Sequence, residues 1–324
     1  MTMPEAPVEG GAYLIRPESY GTIRIVSALQ ADNAPTFRVA EEFADAGVTY
    51  PAGTYVVPAT AQARGTLEQA STEVGLPVAA TDTPPAPGLQ LKPGTRVGLL
   101  RGIGSMPGGW DMWLFDQYGI NYKVVRAQDY EHKSLNQLYD TIVISSGVDK
   151  EDIVEGLDPK EYSEKYSWAY GVGNEGWAKL RQFVNRGGTL LAVGDSSETA
   201  QQLLDLPITN VLPGDEEEFV SAGSLLRNEF DTSNPVAWGQ PDEWPVWFYD
   251  TGAFEVSDPN ADIVASYPDS NVLASGYLNG EEHIARTANV VSFDIGEGQA
   301  VVYGSEVTFR TLPREQFTLL YNAI

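Results

Sequence analysis

Residues 175–205 read EGWAKLRQFVNRGGTLLAVGDSSETAQQLLD, and this stretch decides the fold. Its first half has the apolar spacing of a helix, and one helical face carries Trp177, Leu180, Phe183 and Val184. Gly187 is placed to end that helix, TLLAV predicts a buried strand, and SETAQQLLD predicts a second helix after a tight turn. A strand enclosed by two helices is typical of a parallel sheet that is covered on both faces.

The same alternation extends upstream as far as residue 96. Strands are predicted at RVGLL (96–100), NYKVV (121–125) and YDTIVISSG (139–147), and a helix closed by Gly119 is predicted at GWDMWLFDQYG (109–119). The predicted fold class is therefore α/β, with a flavodoxin-like, doubly wound and mostly parallel sheet. Sheets of this kind bind ligands beyond the carboxyl ends of their strands.

Three segments are predicted along the chain. Residues 1–80 form a small α/β unit with strands at AYLI (12–15) and AGTYVVPA (52–59), and residues 81–94, TDTPPAPGLQLKPG, read as a proline-rich linker. Residues 95–324 form the main domain. Beyond residue 206 this domain becomes loop-rich and aromatic, and it then turns to short strands that include a hairpin at FDIGEGQAVVYG (293–304).

Charge composition narrows the classes of partner. The chain has 45 acidic and 20 basic residues and a formal net charge of −25, so nucleic acid and anionic membranes are poor partners. The acidity fits either adaptation to high salt or ordinary solubility. There is no cysteine, no apolar run long enough to span a membrane, and no signal-peptide pattern in MTMPEAPVEGG.

Several long segments resemble one known family. They are GGWDMWLFDQYGINYKVV (108–125), LRQFVNRGGTLLAVGDSS (180–197), GSLLRNEFDTSNPVAWGQPDE (223–243), VASYPDSNVLASGYLNGEEHIA (264–285) and FRTLPREQFTLLYNAI (309–324). In this order they resemble the C-terminal region of M14 zinc carboxypeptidase-like proteins, a class I glutamine amidotransferase-like domain. The segment Ala12–Pro58, with VTYPAGTYVVP, resembles the piece that joins the peptidase domain to this region. The resemblance also suggests a secreted or periplasmic location.

The zinc site that the resemblance implies belongs to a peptidase domain outside this sequence. An M14 domain binds zinc through an H-x-x-E pair and a later histidine, because catalytic zinc needs three protein ligands and one open position. The only histidines are His132 and His283, and the residues three positions later are Leu135 and Arg286. No cofactor is therefore expected in this chain, although Asp129 and Glu131 lie near His132 in sequence.

Chemistry at the amidotransferase-like elbow is open to two interpretations. The resemblance places Gly194, Asp195 and Ser196 at the turn that carries the nucleophilic cysteine in that fold. Because the chain has no cysteine, chemistry through a thioester intermediate is excluded. A divergent serine hydrolase would use Ser196 or Ser197 as nucleophile and His283 as base, oriented by Glu281 or Glu282. The alternative is that Asp195 or Ser196 caps the following helix.

Three other groups of residues are weighed in the same way. Gly102 and Gly104 follow a predicted strand, but Pro107 replaces the third glycine of a dinucleotide-binding loop, so a structural loop is favoured. The acidic run at 215–217 is read as a solvated loop rather than a cation site. A third group is aromatic, and its side chains either pack over the sheet or form an interface or ligand platform. These residues are Trp168, Tyr170, Trp238, Trp244 and Trp247.

The sequence thus predicts a non-catalytic accessory region that binds an M14 peptidase domain in cis or in trans. The contact is expected to use the Ala12–Pro58 unit and the loops around Trp168 and Trp244. A serine hydrolase and a small-molecule or sugar-binding domain are the alternatives, and self-association is left open.

Overall fold

The computed structural model describes residues 3–249 and 251–324. An N-terminal unit contains β1 (Ala12–Ile15), α1 (Gly21–Ala31), β2 (Phe37–Arg38), β3 (Phe43–Asp45), β4 (Val48–Tyr50), β5 (Tyr55–Pro58), α2 (Ala61–Val74), β6 (Ala79–Thr81) and β7 (Leu89–Gln90). Five of its strands form a sheet in the order β6-β1-β5-β2-β7, and β3 and β4 form a separate ribbon.

Capping residues explain where α2 begins and ends. The Thr60 hydroxyl accepts the Ala63 N–H at 3.1 Å before α2, and Gly75 ends α2 in the left-handed conformation at φ 72°. The proline-rich segment 81–94 is more than a connection, because Gln90 in β7 pairs with Phe37 in β2. This segment therefore contributes a strand to the N-terminal sheet.

The main domain follows from residue 97. It contains β8 (Val97–Leu100), α3 (Pro107–Tyr118), β9 (Tyr122–Val124), β10 (Thr141–Ile144), α4 (Lys150–Val154), α5 (Gly173–Asn185), β11 (Thr189–Val193), α6 (Ser196–Leu204), β12 (Ile208–Asn210), β13 (Ser224–Phe230), β14 (Glu243–Phe248), β15 (Phe254–Val256), β16 (Asp262–Ser266), β17 (Leu273–Ser275), α7 (Glu281–Ile284), β18 (Ala288–Ile295), β19 (Gly298–Tyr303) and α8 (Arg314–Ala323). Short 3-10 helices occur at Ala127–Glu131, Leu135–Gln137, Glu164–Ala169, Pro235–Ala237 and Phe309–Thr311.

Strand order confirms the predicted fold class. Five strands run parallel in the order β9-β8-β10-β11-β19. Counted along the chain within this parallel section, the order is 2-1-3-4-5, which is that of flavodoxin-like folds. The sheet continues from β19 through the antiparallel strands β18, β16, β13 and β14.

One hydrophobic core joins the N-terminal unit to the parallel sheet. Tyr13, Ile25 and Leu67 from the unit are buried in the same cluster as Phe115 of α3 and Phe317 of α8. A second cluster covers the other side of the parallel strands and includes the buried face of α5, as the apolar spacing predicts. In the described part of the chain, no helix is long and apolar enough to cross a membrane.

Two antiparallel strands occupy sequence that reads as loop. β14 contains Pro245, which cannot donate a ladder hydrogen bond and argues against a strand. The strand forms nonetheless because β14 lies at the end of the sheet path and, among the strands of residues 3–249 and 251–324, pairs with β13 alone. In β13 buried side chains alternate with partly buried or exposed ones, as expected for a strand with one face against the core.

Candidate functional site

Polar side chains gather where the parallel strands end, which is the ligand-binding edge of doubly wound sheets. Ser145 and Ser146 follow β10, Gly194 opens the turn after β11, and Glu306 lies in the segment after β19. Asp111 reaches the same edge from α3. These positions define the candidate site.

Ser196, the predicted elbow serine, is fully buried and bound to the main chain. Its Oγ lies 2.6 Å from the carbonyl oxygen of Ser145 and 2.9 Å from that of Val148. The same oxygen accepts the Val148 N–H at 2.9 Å. The hydroxyl therefore holds the loop after β10 against α6 and has no open side for a substrate.

The capping interpretation of the elbow is wrong for both candidate residues. Asp195 precedes α6 but makes no side-chain capping bond, and its backbone is already helical at φ −58° and ψ −28°. A capping side chain needs extended backbone at that position, and the tight turn at Gly194 does not provide it. Ser196 is directed toward the Ser145–Val148 loop instead.

The predicted base lies on a different element from the elbow. His283 is in the short helix α7, and Ser196 and His283 are not joined by any hydrogen bond between described residues. Glu281 accepts the N–H groups of Asn271 and Val272 at 2.8 and 3.2 Å, so its carboxylate fixes a loop. Glu282, the other proposed orienting carboxylate, is exposed. The geometry of a Ser-His-carboxylate triad is thus not formed by these residues.

Two serine–carboxylate contacts at the strand ends are not among the sequence predictions. The Ser145 hydroxyl donates a short hydrogen bond to Asp111, and the Ser146 hydroxyl donates to Glu306 at 2.7 Å. Gly194 covers the second pair closely, since an added Cβ would lie 2.5 Å from Ser146 Oγ. The sequence signal for these contacts is the presence of polar residues directly after two apolar strands, in VISSGV and VVYGSEV.

Burial changes the acidity of these carboxyl groups. Asp111 is wholly buried, and this raises its pKa to about 6 although hydrogen bonds from Ser145 and Thr308 lower it. Burial also raises the pKa of Glu306, and the negative charges of Asp195 and Asp111 raise it further. Loss of water contact and the neighbouring Glu198 raise the pKa of the more exposed Asp195. The site thus contains two buried serine–carboxylate pairs, with the carboxylate of Asp195 at the surface beside them.

Two clefts adjoin the elbow and share Asp195 and Glu198. The first has a volume of about 610 Å³ and is lined mainly by polar residues that include Ser197, Gln201, Asn210 and Thr251. The second, of about 430 Å³, is bounded by the loop after β10 and the start of α4. No basic residue is among the described residues that line the first cleft, so this cleft is unsuited to anionic ligands.

The glycine loop after β8 is held by contacts with the loop after β10. The Ser105 hydroxyl donates to the Ser146 carbonyl at 3.0 Å, and a Cβ on Gly102 would lie 3.2 Å from the Gly147 carbonyl oxygen. Gly104 takes up the left-handed conformation at φ 72° that the turn requires. These contacts agree with a structural loop.

The acidic loop residue Asp215 is engaged locally. Its carboxylate accepts the Glu217 N–H at 2.9 Å, and its carbonyl accepts the N–H of Glu218. Near His132, the Asp129 carboxylate accepts both the Arg126 N–H and the Tyr139 hydroxyl. Across residues 3–249 and 251–324, no three histidine or acidic side chains are grouped to hold a metal ion.

The aromatic residues proposed as a platform are distributed over separate surfaces. Trp168 lies under the Arg101 guanidinium at 4.4 Å, and Trp238 is buried beside Arg38 of the N-terminal unit at 4.8 Å. Trp244 and Trp247 are three residues apart in β14 and so face opposite sides of the sheet. Trp247 stacks on Phe309 at 4.8 Å, and the Tyr170 hydroxyl donates to the Tyr162 carbonyl at 2.7 Å. A single platform is not formed.

Comparison with known proteins gives likeness in fold alone. No protein-family model and no curated protein matches the chain. A protein described as ThuA-like from Bacteroides uniformis is similar at 9% identity and a TM-score of 0.43, over 71% of this chain and 89% of its own. A glutamine amidotransferase from Thermotoga maritima is similar at 14% identity and a TM-score of 0.40, over 68% and 80%. A protein from Thermoplasma acidophilum that is described as part of a GMP synthase has 8% identity and a TM-score of 0.43, over 71% and 94%. The strand order defines the fold class independently of these likenesses.

Proposed function

We propose that this chain is a non-catalytic interaction module with an amidotransferase-like fold, and that it binds an M14 zinc carboxypeptidase domain in the same polypeptide or on a partner chain. In this proposal the zinc and the peptidase chemistry belong to the M14 domain. The amidotransferase-like chain supports, orients or regulates that domain.

The observation that carries the proposal is the engagement of Ser196 with the main chain. A nucleophile must be reachable by substrate and paired with a base. The Ser196 hydroxyl is buried against the Ser145 and Val148 carbonyl groups. The nearby carboxyl groups of Asp195 and Glu306 would also oppose an alkoxide.

The choice of an M14 domain as partner is supported by the sequence resemblance. The resembling segments lie on α3, on α5 through the elbow, on β13, on β16 through α7, and on α8, so they are spread over the whole main domain. They follow one another in the order expected for the region that follows an M14 peptidase domain.

The test separates binding from catalysis. The M14 domain encoded by the same organism is expressed alone, and its binding to this chain is measured by isothermal titration calorimetry in salt-matched buffer. We expect association, together with no labelling of Ser196 by a fluorophosphonate probe. An absence of binding at high micromolar concentration would overturn the docking role, whereas Ser196 labelling that is lost in His283→Ala would establish a hydrolase.

A further inference from the structure

The first of the two clefts at the elbow is built by four parts of the chain at the ligand-binding edge of the sheet. Its lining comes from the turn at Gly194, helix α6, strand β12 and the segment 251–254. Its volume of about 610 Å³ falls within the range of about 300–1,000 Å³ that is usual for small-molecule pockets. The cleft therefore has room for a small ligand.

Three hydrogen-bond donors in the lining of this cleft already bond to main-chain carbonyl groups. The Ser197 hydroxyl donates to the Tyr303 carbonyl at 2.9 Å. The Asn210 amide donates to the Thr251 carbonyl at 3.2 Å, and the Thr251 hydroxyl donates to the Gly304 carbonyl. These side chains are therefore poorly placed to bind a ligand that must accept hydrogen bonds.

The start of α6 does not supply an anion site either. The N–H groups of Ser197 and Glu198, which a helix usually offers to an anion, bond to the carbonyl groups of Gly194 and Asp195 at 3.0 and 3.2 Å. This end of α6 instead presents the carboxylates of Asp195 and Glu198, which are three residues apart and so share one side of the helix. We call Asp195 and Glu198 the α6 pair.

The α6 pair has no basic partner in the described part of the chain. Neither carboxylate forms an ion pair there, and Glu198 accepts a long hydrogen bond from the Gln202 amide at 3.4 Å. With 45 acidic and 20 basic residues, many carboxylates of this chain must lack a basic partner. The α6 pair differs from most of them because it lines a cleft.

A third carboxyl group lies directly behind the cleft at Gly194. A Cβ on Gly194 would lie 3.0 Å from Glu306 Cγ, and Glu306 is only 8% exposed. One oxygen of Glu306 accepts the Ser146 hydroxyl at 2.7 Å, and no described residue donates to the other. The charge of Asp195 helps to raise the pKa of Glu306, so these carboxyl groups are close enough to interact. Negative charge thus extends inward from the α6 pair.

The second cleft continues the acidic lining in the other direction. It shares the α6 pair with the first cleft and adds Asp149 and Glu151. Lys150 also lines it, but the Lys150 ammonium group lies over the Trp177 ring at 5.4 Å. Since no three acidic or histidine side chains of the described residues are grouped to hold a metal ion, the negative charges lie along the clefts and not around one point.

We infer that the two clefts bind a small aliphatic polyamine, with one ammonium group at the α6 pair and the rest of the molecule extended along the clefts. An ammonium group only donates hydrogen bonds and is attracted to carboxylates. A chain with several such groups matches negative charges that are spread over two adjoining clefts. The inference does not depend on an M14 partner and goes beyond the docking role.

The test is isothermal titration calorimetry with spermidine near neutral pH, in about 0.15 M sodium chloride to screen the remaining surface charge. We expect one saturable site, and no binding of octanediol, an uncharged chain of similar length. Asp195→Asn combined with Glu198→Gln should weaken spermidine binding about tenfold or more. The control, Asp294→Asn combined with Glu297→Gln, removes the same two charges at the same spacing from the opposite edge of the parallel sheet, and should stay within about twofold.

A second variant blocks the first cleft without changing its charge. Thr209 is an exposed lining residue on β12, and Thr209→Trp should weaken spermidine binding about tenfold or more because the indole occupies the cleft. Thr49→Trp, at an exposed position of β4, is the control and should bind normally. If Thr209→Trp melts more than a few degrees lower than the unsubstituted chain, Gln202→Trp replaces it, because Gln202 is exposed and lines the second cleft.

Four outcomes would overturn the inference. Equal losses in the two charge-removing variants, or no loss in the tryptophan variant, would show that spermidine is only a diffuse counterion. Magnesium chloride that binds at one site and displaces spermidine at equal ionic strength would assign the clefts to a metal ion. Absence of saturable binding up to millimolar spermidine would leave the clefts without this ligand. None of these outcomes bears on binding of the M14 domain, so the proposed function is tested separately.

Discussion

Replacing Asp111 with Asn should make the protein more stable at neutral pH and should flatten its response to pH. Asp111 is wholly buried, and its pKa is raised from the ordinary 3.8 to about 6. The folded state therefore keeps the proton up to about pH 6, while the unfolded chain releases it near pH 4. Between these values the folded state binds more protons, so the free energy of unfolding falls as pH rises.

The size of this effect follows from the same pKa. A rise from 3.8 to about 6 corresponds to about 3 kcal/mol once Asp111 is fully ionised. An asparagine side chain carries no charge at any of these pH values, so Asp111→Asn should gain up to about 3 kcal/mol over the unsubstituted chain at pH 8 and little or nothing below pH 4. Asp195 titrates in both proteins and largely cancels in the difference, whereas loss of the Asp111 charge also removes one cause of the raised pKa of Glu306 and so adds to the gain.

Urea unfolding followed by tryptophan fluorescence measures this difference at constant ionic strength from pH 4 to pH 8. Asp294→Asn, on an exposed position of β18, serves as the control and should change the free energy of unfolding by less than about 0.5 kcal/mol at every pH. A difference between Asp111→Asn and the unsubstituted chain that is the same at pH 4 and pH 8 would refute the reasoning.

Two further predictions concern the elbow and the charge. Ser196→Ala should lower the free energy of unfolding by about 1 to 3 kcal/mol, because it removes the hydroxyl that serves buried main-chain groups of Ser145 and Val148. Chemical denaturation measures this, with the exposed Ser270→Ala as control, and equal stability of the two variants would contradict it. The net charge of −25 implies self-repulsion, so the melting temperature should rise as potassium chloride is raised from low to molar concentration. A flat or falling series in differential scanning fluorimetry would remove the case for salt adaptation.

Local patterns in the sequence predicted most elements of the parallel section. Helix α5 was predictable because its apolar spacing and Gly187 are both local signals, and the structure buries Leu180, Phe183 and Val184. The hairpin of β18 and β19 was predicted from the turn at Gly296. The position of this hairpin in the sheet is not predictable from local sequence, because the pairing of β19 with β11 joins segments about a hundred residues apart.

The site was predictable in location but not in its contacts. The turn at Gly194 was identified, yet the partners of Ser196 lie 48 and 51 residues away and cannot be read from helix-capping preferences. Glu306 was missed for the same reason, since its partner Ser146 is 160 residues distant. Trp244 and Trp247 were grouped because they are close in sequence, whereas strand alternation separates them.

The position of β19 has a consequence for how this chain acquires its fold. β19 lies in the middle of the nine-strand path, between β11 and β18, although it follows every other strand of that path along the chain. Until residues 298–303 leave the ribosome, β11 has an open edge of unpaired main-chain groups, and such edges favour pairing between molecules. Pairings between segments so far apart also slow folding. During synthesis, the four earlier parallel strands therefore lack their fifth partner until residues 298–303 are made. The chain is exposed to aggregation during this interval.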